Sequence, residues 1–398
     1  MTWPRVRGPE LKAPSREWAM SVRVTISCLH GAEQGSFRAK SWRYRRGRRT
    51  APSDVPPRGP DGGHGFWAPS SAVYTLLSRE GRVVSEITTT DGDGPMSSPL
   101  SGPRPAPRGP HTACERDRGC VLAAACGDAF GSTPSQRSQS STSLRATGTT
   151  ALMAVLAEHL SKQCEGREAA IDRGRLVQEF TDVWQRDPDR GFGAGEIRIF
   201  LSVVNGVSWE SASVSAFGGT GSYGAGAAAR VAPVGLLAVP LNRLVQLARD
   251  SAYVTHAHAL ALDGAAIQAC AVAYARRANR EQPLATSHLL STVARYSTAP
   301  EFRAQLARLS ALGRSRYAAR DVVRALGEGD TAVQAVPLAL AAFLRSPDDL
   351  PEAVRFAVRV DGGRGRVAAM AGALAGARNG VGAIPRSWLR SLEDASEG

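Results

Sequence analysis

From about Cys120 onward, apolar residues recur at helical spacing and strand-like alternation is nearly absent. Leu152, Val155, Leu156 and Leu160 form one such series, and Leu176, Phe180, Val183 and Trp184 stand at i, i+4, i+7 and i+8. This is the pattern of helices with one buried face. The second series starts near Asp172 and is expected to stop before Asp187-Pro188, because the residue before a proline disfavours α geometry. Further helices are expected near Leu241–Tyr253, Ala257–Arg277, Glu301–Leu312, Thr331–Arg345, Pro351–Val360 and Val367–Arg378. Small-residue runs such as Ala368-Ala369-Met370-Ala371-Gly372-Ala373 let helices pack closely. The expected fold class is therefore all-α, a compact multi-helix bundle with no βαβ units.

Residues 1–110 are a different material. RYRRGRRTAPSDVPPRGPDGGHG and GDGPMSSPLSGPRPAPRGPH are rich in Pro, Gly, Ser and Arg and lack sustained periodicity. Such a segment buries too little apolar surface to offset its ordering entropy. The expected organisation is a low-complexity, largely disordered extension over 1–110 and a helical domain over 111–398. Within the extension, Ser71–Leu77 and Val83–Ile87 suit a local hairpin, and Met96 would serve as an alternative start. The basic cluster Arg43–Arg49 suits either a solvated tail or contact with nucleic acid.

The net charge of +13 is compatible with nucleic acid, an anionic surface or a phosphorylated ligand. The arginines are scattered, so a compositional bias toward Arg explains the charge equally well. Six cysteines form no C-x-x-C pair and no Cys/His cluster with zinc spacing. Reduced thiols in a cytoplasmic protein are the simplest expectation for a chain of 398 residues. There is no leading apolar segment of signal-peptide type and no run long enough to span a membrane.

Several loops are too specific for packing alone. Gly127-Asp128-Ala129-Phe130-Gly131 opens the domain, and Arg186-Asp-Pro-Asp-Arg-Gly-Phe-Gly-Ala-Gly195 follows a helix. A glycine-rich loop runs from Phe217 through Gly218, Gly219, Gly221, Ser222, Tyr223 and Gly224 to Gly226. Val254-Thr255-His256-Ala257-His258 comes next, with Asp263-Gly264-Ala265 behind it. Gly362-Gly363 precedes the late alanine-rich helix. Glycines at these positions let backbone approach a ligand and adopt positive φ. A helix expected near Ala225–Ala229 would turn its N-terminal N–H groups toward an anion such as a pyrophosphate. Ser222 and Tyr223 offer hydrogen-bond donors. Phe217 suits either the core or ring stacking, and His256 either a buried structural imidazole or a ligand contact.

In order and spacing these motifs resemble the ADP-ribosylglycohydrolase family, including the dinitrogenase reductase-activating glycohydrolases, over about residues 118–393. RDPDRGFGAG and GSYG are most similar to the type-3 (ADP-ribosyl)hydrolase branch. The resemblance implies a ligand site formed by Phe217, Gly221, Ser222, Tyr223, Gly224 and His256, with Phe217 on the adenine. It also implies hydrolysis of an ADP-ribosyl glycosidic bond with two divalent cations. Their ligands come from a T-D-D-T motif, a late D-T-D-T motif and, in the type-3 branch, a Glu soon after the opening GDA-x-G.

Here those carboxylates are gone. The T-D-D-T position reads Thr147-Gly148-Thr149-Thr150. The D-T-D-T position reads Arg364-Gly365-Arg366 and is one residue shorter, while the Glu position falls at about Ser135. The Asn expected in the glycine loop is Ala225. Magnesium needs near-octahedral oxygen ligation with carboxylates, and a guanidinium neither loses its charge nor ligates metal. No metal is therefore expected and no catalytic residue is intact. Arg364 and Arg366 are expected to fill the vacated volume and to pair with Asp128 or with a ligand's phosphates.

The favoured expectation is a catalytically impaired relative that binds ADP-ribose or an ADP-ribosylated protein, as a cytoplasmic monomer without cofactor. One alternative is an active hydrolase with a binuclear Mg²⁺ site, drawing on Asp128, Glu158, Asp187, Asp189 or Asp263. Another is a structural or interaction protein whose basic tail binds nucleic acid.

Overall fold

The computed structural model describes residues 73–77, 83–88, 112–132, 145–163, 169–313 and 317–394. Ser135, the Arg43–Arg49 cluster, Met96, Cys28 and Cys164 lie outside the described residues. Two strands, β1 (Val73–Leu77) and β2 (Val83–Thr88), pair antiparallel as the expected hairpin, with an irregularity between Leu76 and Leu77. They belong to a unit spanning 33–108 that is separate from the main body.

From 112 on, the regular elements are helices, and α1 (Ala113–Gly131) begins with a capping box. Thr112 accepts from the Glu115 N–H, and the Glu115 carboxylate accepts from the Thr112 N–H. The helices α2 (Gly148–Gln163), α3 (Arg173–Arg186), α4 (Ala194–Val204) and α5 (Trp209–Gly219) follow. Asp172 caps α3, and the helix stops at Arg186, ahead of Asp187-Pro188 as expected. The short turns α6 (Gly226–Arg230) and α7 (Ala232–Gly235) lead into α8 (Leu241–Tyr253) and α9 (Ala259–Arg277). The chain continues through α10 (Thr286–Arg295), α11 (Pro300–Ala311), α12 (Ala319–Leu326), α13 (Ala332–Arg345), α14 (Leu350–Asp361), α15 (Arg366–Asn379) and α16 (Arg386–Asp394). The expected late helices recur within a residue or two of their anticipated bounds. Among the described residues no helix is long and apolar enough to cross a membrane, and Cys114, Cys120, Cys126 and Cys270 are free thiols.

Two helices, α9 and α15, form the centre. Every residue of α15 from Val367 to Asn379 is buried, which is why this helix is apolar and small-sided all round rather than amphipathic. It lies antiparallel against α1, and glycines set the separation. A Cβ on Gly376 would stand 2.1 Å from the Gly119 carbonyl oxygen, and one on Gly372 would stand 2.2 Å from that of Ala123. A Cβ on Gly127 would stand 2.1 Å from the Ala368 oxygen, and one on Gly131 2.6 Å from the Gly365 Cα. Positions 119, 123, 127 and 131 thus form a small-residue row at i, i+4 spacing that meets 376, 372, 368 and 365 in reverse order. The C-terminus of α1 is thereby held against the loop that precedes α15.

Because the facing groups are backbone, a larger side chain has nowhere to go. Gly372→Val is expected to destabilise the protein by about 3 kcal/mol or more. That corresponds to a fall in Tm on the order of 6–12 °C by calorimetry or thermal circular dichroism, if each kcal/mol is worth roughly 2–4 °C.

Candidate functional site

Three sequence-distant segments meet where α1 ends. The Asp128 side chain is buried. Its carboxylate accepts from the Thr147 N–H at 2.7 Å, the Thr147 hydroxyl at 2.8 Å, the Thr150 hydroxyl at 2.6 Å and the Thr150 N–H at 3.3 Å. Thr147 precedes α2 and Thr150 stands in its first turn, so Asp128 caps α2 from outside. Burial pushes its carboxyl above the ordinary value, and the bonds from Thr150 and Thr147 oppose that rise. Gly365 closes the third side: a Cβ there would lie 2.1 Å from the Ser132 hydroxyl and 3.2 Å from the Asp128 carboxylate. Gly148 must also be small, since a Cβ would meet the Phe192 ring at 2.5 Å.

Arg364 and Arg366 flank Gly365 but do not pair with Asp128, contrary to expectation, because its lone pairs are already filled by the two threonines. Arg366 faces Asp330 at 3.2 Å, and Arg364 faces Asp330 and Glu328, each at 3.5 Å. Arg364 also donates to the Asp361 carbonyl at 2.9 Å. Both carboxylate partners are more than half exposed, so these ion pairs are weak and screened.

The glycine-rich loop lies alongside. Its backbone pairs with the segment that carries Asp330: Ala225 donates to the Asp330 carbonyl at 2.8 Å and Ala332 to that of Tyr223 at 2.9 Å. Phe217 is left-handed (φ 54°), the one non-glycine residue at positive φ among the described residues. It is 47% exposed, which removes it from the core. Its ring packs on Gly195, where a Cβ would stand 3.1 Å away. Tyr223 is also exposed and lies 6.3 Å from the Phe217 ring. Ser222 is buried and accepts from the Gly224 N–H at 3.3 Å. Gly221 has a φ of +73°, and a Cβ there would press on the His258 backbone. The helix expected to present an anion-binding N-terminus is α6, only five residues long, and the N–H of its cap residue Ala225 is taken by Asp330. So short a turn carries little dipole.

Beneath the loop is a fully buried polar chain. The Arg230 guanidinium donates to Glu196 at 3.0 Å, to the Thr255 hydroxyl at 2.6 Å and to the Ser251 carbonyl at 3.3 Å, and it lies over the Phe180 ring. Burial pulls its pKa down to about 10 against the pull of Glu196, so it stays cationic at neutral pH. The Thr255 hydroxyl is 2.7 Å from His256 Nδ1. Burial holds the His256 imidazole well below its usual range, helped by the charges of Arg230 and Arg366. The sequence offers no pointer to Glu196, Arg230 and Thr255 beyond their adjacency to RGFGAG, the Ala225–Ala229 run and His256.

Comparison with known proteins now decides the family. The profile of the ADP-ribosylglycohydrolases matches residues 110–397. The chain belongs to the ADP-ribosylglycohydrolase family. ADP-ribosylhydrolase ARH3 of Homo sapiens is 32% identical over 256 residues, covering 57% of this chain and 70% of that protein. The Danio rerio ARH3 is 27% identical over 276 residues, covering 62% of this chain and 73% of that protein. A solved structure described as an ADP-ribosylglycohydrolase-related protein complex superposes with a TM-score of 0.51 at 26% identity, covering 71% of this chain and 95% of that one.

Within this member of the family, the residues at the motif positions do not fit divalent cations. Thr147, Gly148, Thr149, Thr150, Arg364 and Arg366 offer no carboxylate. Asp128 spends its oxygens on α2, and Asp330 and Glu328 face the two arginines. Among the described residues no group of three or more His, Cys, Asp and Glu side chains could hold an ion. Of the other acidic candidates, Asp189 is exposed, and the remaining three are dispersed into structural roles. Asp263 is buried and accepts from the Thr298 and Ala299 N–H groups and from Arg249. Asp187 pairs with Arg145 and Arg190, and Glu158 with Lys162.

One buried carboxylate makes a pH test possible. Asp361 accepts from the Val367 and Ala368 N–H groups at the start of α15, yet burial raises its pKa to about 6 and leaves one oxygen without a partner. A raised folded-state value means the folded protein holds the proton more tightly than the unfolded chain. Its stabilising contribution is therefore full below about pH 4 and is lost as the pH rises through 6. Urea denaturation across pH 4–7 should show stability falling over this window in the parent protein relative to Asp361→Asn, with the difference levelling off above pH 7.

Proposed function

We propose that this protein is a metal-independent member of its family that binds ADP-ribose, free or on a modified protein, and does not turn it over. The observation that carries this reading is the fate of charge at one spot. Asp128 is consumed in capping α2, and the guanidiniums of Arg364 and Arg366, paired with Asp330 and Glu328, stand where the resemblance places the late metal-binding acids. Positive charge from Arg364 and Arg366 would repel Mg²⁺ rather than gather it. Ligand-facing groups at the glycine loop support binding, although the Asn expected there is Ala225. An exposed aromatic at Phe217 lies beside a positive-φ glycine loop, with Tyr223 on its rim and Ser222, Gly224 and His256 beneath. The names of the relatives make ADP-ribosyl compounds the ligand class to try first. The domain that does this is residues 111–398, and 1–110 lies outside it.

Arg366 is held by the half-exposed Asp330, so an anionic ligand can compete for its guanidinium. Isothermal titration of the full chain with ADP-ribose in EDTA should show micromolar binding. Added Mg²⁺ should neither strengthen it nor release ADP-ribose from a serine- or arginine-modified peptide. Arg366→Gln should weaken binding by about tenfold or more, since a charge-assisted pair contributes on the order of 1.5–3 kcal/mol. Magnesium-dependent release of ADP-ribose would replace this reading with that of an active hydrolase.

A further inference from the structure

The buried chain under the glycine-rich loop has a direction, and that direction fixes a proton. We infer that Arg230, acting through Thr255, locks His256 as the Nε2–H tautomer, so that this neutral imidazole donates a hydrogen bond to an anionic oxygen of a ligand seated on the loop. The inference deepens the proposed function by naming what the pocket presents and what holds it there.

A guanidinium has donors only. Arg230 is 1% exposed and aims one nitrogen at the Thr255 hydroxyl, 2.6 Å away, so that oxygen must accept. The hydroxyl's own hydrogen then needs an acceptor. Among the described residues the one within reach is His256 Nδ1 at 2.7 Å. If Nδ1 carried the proton, the hydroxyl oxygen would accept from both sides and its own hydrogen would be left buried and unpaired, at a substantial cost. Nδ1 is therefore the acceptor, and the ring hydrogen is on Nε2.

Nε2 faces the loop. A Cβ built on Gly226 would lie 3.1 Å from it, and one on Gly224 would lie 3.6 Å away. Two glycines thus place no side chain of their own over this nitrogen, in a ring that is 4% exposed. No hydrogen bond from Nε2 to a described residue is formed. The charged groups facing the ring are Arg230, Arg366 and Glu196, and Glu196 is neutralised by its own pair with Arg230. A ring so placed meets an anion as a dipole and leaves the charge to Arg366. Arg230 and Thr255 are positioning residues, since neither reaches the loop.

The test reads the proton directly. The full chain, with histidine labelled in ¹⁵N, is examined by two-bond ¹H–¹⁵N correlation, and His256→Gln assigns the signal. The parent protein should show a pyridine-type Nδ1 and a pyrrole-type Nε2 that persist through pH 6–8. Thr255→Val should lose that signature and bind ADP-ribose in EDTA about tenfold more weakly, the value of one hydrogen bond to a charged group. Thr255→Ser should restore both, which a defect of folding or packing would not. A pyrrole-type Nδ1 in the parent, or an unchanged tautomer and unchanged affinity in Thr255→Val, overturns the inference. If the parent shows the expected tautomer but binds no ADP-ribose, the proposed function and the ligand half of this inference both fail. The tautomer would then be a structural property alone.

Discussion

The closeness of α1 to α15 governs the rest of the molecule. Their backbones touch along a row in which every contacting position is glycine or alanine, and a methyl group added at Gly119, Gly127, Gly372 or Gly376 would strike main-chain atoms. Helices normally stand 8–10 Å apart because side chains intervene. Here the side chains are absent, so dispersion contacts between backbones replace interdigitation. The antiparallel order then brings the end of α1 to the start of α15. Asp128 meets Gly365 for that reason, and the segments 127–132, 147–150 and 364–366 share one corner of the bundle.

What that corner can do is decided by which charges are already compensated. Asp128 is the residue that metal chemistry would want, yet four of its five hydrogen bonds tie it to the start of α2. The fully buried charges are handled just as strictly. Arg230 is matched to Glu196 and two oxygens, and Asp263 to backbone N–H groups and Arg249. Such groups are costly to free, which makes them scaffolding. By contrast, Arg364 and Arg366 face carboxylates that are half in solvent. A ligand can compete for them at little expense. The division between locked and available charge follows burial.

The helices were legible in the sequence wherever apolar residues kept one face. The bounds of α3, α8 and α13 follow from spacing, Asp172 and the Asp187-Pro188 stop. The meeting of the glycine loop, His256 and the two altered motifs was legible only through family resemblance, because it is made by long-range packing. The partner of Arg364 and Arg366 was not legible. Asp330 sits on an unremarkable loop, Gly327–Thr331, and reaches the site because Ala225 and Ala332 pair that loop with the glycine-rich one. The arginines were expected to meet Asp128 or a ligand's phosphates, and the first alternative fails because the Asp128 oxygens are full. Nor was Glu196 legible, since a lone acid after RGFGAG gives no sign of reaching a buried arginine on α6.

Asp361 shows how far this compensation extends. The loop 362–365 bends through glycines at positive φ, which brings the preceding helix end back over the first N–H groups of α15. Asp361 fills those donors with a buried carboxylate, and Arg364 ties the same turn to the Asp361 carbonyl. The N-terminus of α15 is therefore occupied from within. An anion arriving at this corner finds the start of α15 filled and, at the short α6, little dipole to meet it. In the proposed function it is held by the side chains of Arg366 and, through its fixed proton, His256. Recognition on that reading rests on two residues whose donors are set by neighbours rather than by an ion.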